Sequence, residues 1–220
     1  MANDTTLYVF MFLVDTSGSM SEQPIASVNA AMSECFMEMQ DLNSISGCEV
    51  QYSVVTFDEN VKVLIEPEYV DFGQVPKLTV EPGADGFYSV TRYSCLYKEF
   101  PNILNQELLG SVNKKGSVFI FLMTDGMAAD SGQYDNLVSE AMKVDRFKNA
   151  NRYVVITKEA GSGYGNVLND VMSFVDSNKK RLLRLENLPD LFNQIKLDAM
   201  SRSGDAGSQS DDDDDFDPFA

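Results

Sequence analysis

The chain alternates between short apolar runs and longer segments in which apolar residues recur every three or four positions. Residues Leu7 to Val14 form the first run, which is typical of a central strand covered on both faces. From Ile25 to Leu42 the apolar residues follow a helical spacing, which predicts a helix with one buried face, and Pro24 suits its first turn. A strand followed directly by a helix is therefore predicted at the start of the chain.

The same alternation continues along the chain and predicts its fold class. Further strands are predicted at Val50 to Phe57, Val61 to Ile65, Val118 to Thr124, Tyr153 to Thr157 and Leu182 to Leu185, and further helices at about Ser94 to Leu109, Gln133 to Phe147, Val167 to Val175 and after Pro189. Strands that alternate with helices indicate parallel crossovers, and the short link before Val61 indicates a hairpin. We predict one α/β domain over residues 1–202: a doubly wound, Rossmann-like, mostly parallel sheet with one antiparallel edge strand and helices on both faces.

Composition narrows the class of protein. The chain has 220 residues, of which 44% are hydrophobic, enough for one core. It has no histidine, so imidazole-based catalysis and histidine zinc sites are excluded. Its three cysteines lack a CxxC spacing, which favours reduced thiols, and no apolar run has the length of a membrane span. We expect a soluble, cytoplasmic protein.

The charge is strongly negative and is concentrated near one end. The net charge is −17; residues 203–220 hold seven aspartates and no lysine or arginine, which leaves −10 for the rest. Such a surface repels phosphate backbones and anionic lipids, so neither nucleic acid nor a membrane is expected as a partner. Residues 203–220 carry too little apolar surface to fold alone and are predicted to be a disordered acidic tail.

Two of the predicted strands end in an aspartate. Asp15 follows the first strand and Asp125 follows the strand that ends at Thr124. If these strands are neighbours, both carboxylates lie at one edge of the sheet, where they repel each other unless a cation lies between them. Ser17 and Ser19 offer two more oxygens of the kind that Mg²⁺ or Mn²⁺ prefers.

These motifs resemble those of a known family. The string DTSGSM at Asp15 to Met20, after an apolar strand, is similar to the DxSxS motif of von Willebrand factor type A domains, and FIFLMTDGMAAD at Phe119 to Asp130 is similar to their second strand and aspartate motif. The resemblance spans about Leu7 to Ala199. It implies the fold given above and a metal ion-dependent adhesion site.

The family's third loop supplies a threonine ligand in a setting that this chain lacks. Two residues compete for that role: Thr91 keeps the residue type, whereas Ser94 keeps the apolar spacing into the helix through Leu96 and Phe100. We favour Ser94 on that spacing. The predicted metal ligands are Asp15, Ser17, Ser19, Asp125 and either Ser94 or Thr91.

The resemblance also implies a mechanism and a setting. A bound Mg²⁺ or Mn²⁺ with one open coordination position would take an Asp or Glu from a partner protein, so the chain would be a non-enzymatic adaptor or scaffold. Its size and the SEQPI continuation of the motif are similar to bacterial cytoplasmic members associated with tellurium resistance, stress response and phage defence. The alternatives are a metal-dependent enzyme and the regulatory subunit of a chelatase-like ATPase motor, both acting through the same site.

Two local patterns invite other interpretations. The stretch Gly161 to Asn166 lies between a predicted strand and helix but fails the GxGxxG pattern of dinucleotide sites, so a tight turn is favoured. Phosphotransferases with an aspartate nucleophile have a second aspartate two residues later, where this chain has Ser17. A polar loop without a metal also accommodates Asp15 to Ser19.

The acidic tail has three candidate uses. It can keep the protein soluble, or dock a partner through Asp211 to Phe219, which is similar to the acidic, Pro-Phe tips of bacterial single-stranded-DNA-binding proteins. In the third use, a tail aspartate occupies the open metal position of the same chain and inhibits partner binding.

Overall fold

A computed structural model describes residues 5–71, 73–82, 86–104, 116–126, 128–130, 132, 135–157, 171–176 and 178–204. Within them lie six strands: β1 Thr6–Asp15, β2 Cys48–Phe57, β3 Val61–Tyr69, β4 Gly116–Thr124, β5 Asn151–Ile156 and β6 Leu182–Arg184. The α-helices are α1 Gln23–Asn43, α2 Tyr93–Ile103, α3 Asp135–Ala141, α4 Asp145–Lys148 and α5 Leu188–Gly204. None of these helices is both long and apolar enough to cross a bilayer.

The strands form one sheet in the order β3-β2-β1-β4-β5-β6. Only β3 runs antiparallel to its neighbour, so the predicted doubly wound α/β sheet with one antiparallel edge strand is confirmed. β3 continues past the predicted end at Ile65 to Tyr69 and includes Pro67. A proline is tolerated there because an edge strand does not need every N–H for pairing.

The central strand β1 is covered on both sides, as its apolar sequence predicts. Its even-numbered residues from Tyr8 to Val14 pack with residues of α1 and α5, and its odd-numbered residues from Leu7 to Leu13 pack with residues of α2 and α4. The ring of Phe10 stacks on Phe119 at 5.1 Å and on Phe192 of α5 at 5.0 Å. Each such buried side chain contributes about 1.5–3 kcal/mol, which fixes the position of the strand end that follows.

Two predicted helices differ from the structure. The segment Gln133 to Phe147 is not one helix, because α3 ends at Ala141 and α4 begins at Asp145. Val144 between them has an extended backbone (φ −79°, ψ 107°), which apolar spacing cannot reveal. Helix α2 ends at Ile103, short of the predicted Leu109.

Several predictions fall on undescribed residues. Residues 105–115, which include the end of the predicted second helix, and residues 158–170, which include Gly161 to Asn166 and most of the helix predicted at Val167 to Val175, lie outside the described part. Helix α5 runs to Gly204. Residues 205–220 of the predicted tail also lie outside the described part of the chain.

Candidate metal centre

The strand order places the two aspartates together. β1 pairs with β2 on one side and with β4 on the other, so the order of the sheet reverses between β1 and β4. Ligands of such sheets bind at the carboxyl ends of the strands beside this reversal. Asp15 ends β1 and Asp125 follows β4, and both are buried, at 0% and 3% exposure.

The Asp15 carboxylate accepts hydrogen bonds from three parts of the chain. The Ser17 N–H donates to its Oδ1 over 2.9 Å, which closes the turn after β1. The Thr124 hydroxyl donates to its Oδ2 over 2.7 Å from the end of β4, and the Thr91 hydroxyl lies 3.1 Å from the same oxygen. This aspartate therefore joins the three loops that form the edge.

Three hydroxyls form a continuous group beside Asp15. Thr91 Oγ1 lies 2.7 Å from Ser17 Oγ, which lies 3.2 Å from Ser19 Oγ. The single proton of Thr91 can go to Asp15 or to Ser17 but not to both at once. Hydroxyl oxygens of this kind are hard donors suited to Mg²⁺ or Mn²⁺.

Thr91 and Ser94 occupy different places, although the sequence left both as candidates. The Thr91 hydroxyl lies within the Asp15 group and is buried. Ser94 lies in the first turn of α2, where its N–H donates to Asp130 Oδ2 over 2.8 Å. The structure thus brings Asp15, Ser17, Ser19 and Thr91 together, and it places the Ser94 backbone against a different carboxylate.

Asp130 is a site residue to which the sequence analysis assigned no role. Its two oxygens accept the N–H groups of Tyr93 and Ser94 at 3.1 and 2.8 Å, so it caps α2 from a distant loop. A carboxylate at a helix N-terminus is favoured by the unpaired amides and by the helix dipole. The residue before α2 is Arg92, which makes no side-chain cap, and this missing cap is the signal in the sequence that another acid supplies it.

Thr124 is a second residue that sequence reasoning missed. Besides donating to Asp15, its hydroxyl accepts the Gly126 N–H over 3.0 Å and lies 3.1 Å from the Tyr93 hydroxyl. It therefore links the end of β4 to both the first loop and α2. Its position directly before Asp125 is the only sequence signal for this role.

The electrostatics of the site disfavour an isolated carboxylate. Burial raises the pKa of Asp15 above its usual value of 3.8, the hydrogen bonds from Ser17 and Thr124 lower it in part, and the charge of Asp125 raises it again. An ionised Asp15 is therefore costly in the protein alone, and a cation between the two carboxylates would relieve this cost. The described residues contain no group of three or more His, Cys, Asp or Glu able to hold a metal. Two carboxylates and three hydroxyls nevertheless fit a hard divalent cation.

A small cavity opens beside the hydroxyls. It has a volume of about 260 Å³ and is lined by Ser17, Ser19, Ser89, Val90, Thr91, Ala128 and Ala129. The serines and the threonine contribute polar atoms to its lining, and the valine and the alanines contribute apolar atoms. Its volume is below the ~300–1,000 Å³ of pockets for drug-sized ligands, so it suits one or two side chains of a partner.

Gly18 is required by the close contact of two loops. Its N–H donates to Ser89 O over 2.9 Å, and a Cβ at this position would lie 2.4 Å from Tyr88 Cβ. Any other residue would push the loop of Tyr88 and Ser89 away from Ser17 and Ser19.

Glu22 has a strained backbone at the start of α1. Its φ of 60° and ψ of −114° place a residue with a side chain where glycine is favoured, at a cost of about 1–3 kcal/mol. We expect Glu22→Gly to raise the free energy of unfolding by about 1 kcal/mol in urea denaturation. Glu22→Ala removes the same charge but keeps Cβ, and an equal gain from both variants would show that the backbone is not the cause.

Comparison with known proteins gives the family. The model of the von Willebrand factor type A domain matches residues 10–127, more than half of the chain. The chain belongs to this family. No curated protein matches it significantly.

Solved structures share the fold at low sequence identity. A von Willebrand factor type A protein from Catenulispora acidiphila is 14% identical with a TM-score of 0.56, over 89% of this chain and 43% of that one. The pilus adhesin SpaC from Lactobacillus rhamnosus GG, in an open conformation, is 8% identical with a TM-score of 0.62, over 90% of this chain and 30% of that one. This chain thus spans less than half the length of either protein, and the similarity concerns the fold.

Proposed function

We propose that this domain is a divalent-metal-dependent protein-interaction module, an adaptor or scaffold. Asp15, Ser17, Ser19, Thr91 and Asp125 would hold Mg²⁺ or Mn²⁺ at the edge where β1 and β4 end. The observation that carries the proposal is the contact of the buried Asp15 carboxylate with hydroxyls from separate loops, at 2.7–3.4 Å from one another. Membership of the von Willebrand factor type A family and the adhesin fold relative support the same function.

The residues of the site have different roles in the proposed metal binding. Asp15 and Asp125 supply negative charge, Ser17, Ser19 and Thr91 supply neutral oxygens, and Thr124 orients Asp15 by its hydrogen bond. A bound cation supplies a Lewis-acidic position that an Asp or Glu of a partner protein can fill. Because three of the protein's donors are neutral, the two aspartates only balance the +2 charge of the cation, and its open coordination position still favours a carboxylate ligand.

The negative charge of the chain restricts where an acidic partner segment can bind. The chain carries −17 in total, so an acidic partner is repelled from most of its surface. The bound cation would offset this repulsion at the edge that it occupies. Affinity for an acidic segment is then expected to depend on the metal.

The remaining parts of the proposal concern the setting. We propose no catalytic activity, since the chain has no histidine and, among the described residues, no lysine or cysteine lines the cavity. A bacterial cytoplasmic complex for stress response, such as tellurium resistance, is the proposed location, and it rests on the resemblance of the motifs. Neither nucleic acid nor membrane is proposed as a partner, because the net charge opposes both.

Co-purification from native lysate tests the function. We expect a partner with tagged wild-type protein in Mg²⁺, and its absence in EDTA or with Asp15→Ala. Glu140→Ala serves as a control, because Glu140 is exposed in α3 and forms a surface ion pair with Lys143. A partner recovered equally in all samples would show that this contact does not use the metal.

Substitution of the two candidate hydroxyl residues tests the ligand set. We expect Thr91→Ala to weaken Mn²⁺ binding at least about 10-fold, because it removes a hydroxyl that contacts both Asp15 and Ser17. Ser94→Ala should leave the affinity unchanged, because the backbone N–H that binds Asp130 stays. Both can be measured by calorimetry, and the reverse order would assign the third ligand to Ser94.

A further inference from the structure

An exposed apolar surface lies beside the candidate metal centre. Phe87, Tyr88 and Val90, here called the apolar rim, are 75%, 50% and 42% exposed. Three large exposed apolar residues within four positions form the kind of surface that marks an interaction site. Val90 also lines the cavity beside Ser17, Ser19 and Thr91, so the rim adjoins the hydroxyls through Val90.

This surface defines the chemistry of its occupant. The cation would take a carboxylate, and the rim would take a large apolar side chain close to that carboxylate in sequence. An aromatic ring is the best match, since it buries a large area against Phe87 and Val90. The occupant is therefore an acidic segment with phenylalanine beside its carboxylates.

The chain itself contains such a segment. Residues Asp211 to Phe219 read DDDDDFDPF, with Phe216 between two aspartates and Phe219 after a proline. We propose that this segment of the tail occupies the metal centre and the apolar rim of its own chain, and thereby competes with partner proteins. This inference rests on the proposed function, because the carboxylate contact needs the bound cation.

The length of the tail determines which of its aspartates can reach the candidate metal centre. Arg202 and Asp198 of α5 lie close enough to Tyr8, near the start of β1, for their charges to act on it, so the tail leaves the domain at the edge opposite Asp15. Tyr8 and Asp15 are seven residue steps apart along the strand, about 23 Å. Residues 205–214 can span about 33–36 Å when extended, so Asp215 and Phe216 can return to the site with length to spare.

Charge directs the tail to this edge. The chain outside residues 203–220 has a net charge of −10, so an acidic tail is repelled from most of the domain. The bound cation would supply a ligand position for the tail carboxylates at the edge that it occupies. Tethering also gives the tail an effective concentration in the millimolar range, which favours docking even at low intrinsic affinity.

Phe216→Trp in the full chain provides the test. The chain has no tryptophan, so the introduced indole is the only one, and its burial on the rim gives a blue shift of emission. We expect the shift on adding Mg²⁺, its loss with Asp15→Ala, and a fall of about 10-fold in the docked-to-free ratio with Phe87→Ser/Val90→Ser. The matched control is Met37→Ser/Leu197→Ser, since these side chains are exposed on α1 and α5, and it should keep the full shift.

The outcomes separate this inference from the proposed function. Mn²⁺ binding to the same full-length protein is measured in parallel by electron paramagnetic resonance, with Asp15→Ala to subtract binding by the tail aspartates. Bound Mn²⁺ without a blue shift would overturn the tail proposal and leave the metal centre standing, whereas no Asp15-dependent Mn²⁺ binding would overturn both. A shift that survives the rim variant, is lost in the control variant, or grows with protein concentration would also contradict docking on the rim of the same chain.

Discussion

Asp15→Asn is expected to abolish metal binding and, in the absence of metal, to make the protein more stable. The affinity for Mn²⁺ should fall at least about 100-fold, more than the ~10–100-fold typical of changes to residues that only support metal ligands. The free energy of unfolding should rise at neutral pH, because burial and the charge of Asp125 raise the pKa of Asp15 and make its ionisation costly in the folded state. Loss of function with gain of stability is the pattern of a residue kept for its site.

The pH dependence gives this prediction a second test. A carboxyl whose pKa is raised on folding loses stability as the pH rises from its unfolded value of 3.8 through its folded value. The advantage of Asp15→Asn should therefore vanish below about pH 3.8 and grow as the pH rises toward the folded-state pKa. Saturating Mg²⁺ should reverse the order, since only the wild type gains from binding. Urea denaturation in EDTA measures the stability gained by the substitution, and urea denaturation in Mg²⁺ measures the stability that the wild type gains from the metal. A variant that is less stable than wild type in EDTA would contradict the prediction that ionised Asp15 is costly.

Asp176→Asn is expected to be the most destabilising conservative change outside the site, at about 2 kcal/mol. Arg152 in β5 is 1% exposed, and its guanidinium forms an ion pair with Asp176. It also lies 4.5 Å from the centroid of the Phe147 ring. Burial lowers the pKa of Arg152 and Asp176 opposes that shift, so removing the carboxylate takes away the counterion that the described residues give this buried cation. The cost is below the ~3–5 kcal/mol of fully buried pairs because Asp176 is half exposed.

The choice of asparagine isolates the charge. Asp176 has φ 51° and ψ 38°, a left-handed conformation that asparagine also adopts readily. The matched control is Glu140→Gln, which breaks the exposed pair with Lys143 and should cost less than about 0.5 kcal/mol. Equal effects of the two variants in urea denaturation would show that the Arg152 pair contributes no more than a surface pair.

The sequence predicts those parts of the fold that depend on long, regular patterns. The apolar run of β1 and the helical spacing of α1 are correct to within two residues. The break between α3 and α4 was not predictable, because both Ala141 and Phe147 are buried and apolar spacing continues across Val144. Helix boundaries of this kind depend on local backbone choice rather than on periodicity.

Some residues of the candidate site could likewise be predicted from the sequence and others could not. Asp15 and Asp125 follow from strand ends and strand order, which a sequence shows. The choice between Thr91 and Ser94 depends on the loop before α2, which is held by Asp130, 36 residues after Ser94, and by the Ala129 N–H, which donates to Thr91 O over 2.9 Å. Contacts between distant loops carry no periodic signal, so apolar spacing alone favoured Ser94.

The most direct test of the central claim is to locate the cation. Crystals of the full-length protein grown with Mn²⁺ should give an anomalous difference peak at the carboxyl ends of β1 and β4. The account predicts one peak within about 2.0–2.6 Å of the hydroxyls of Ser17 and Ser19, beside Thr91 and between Asp15 and Asp125, and absent in Asp15→Asn. A peak found only elsewhere, or none at a Mn²⁺ concentration that saturates binding in solution, would contradict it.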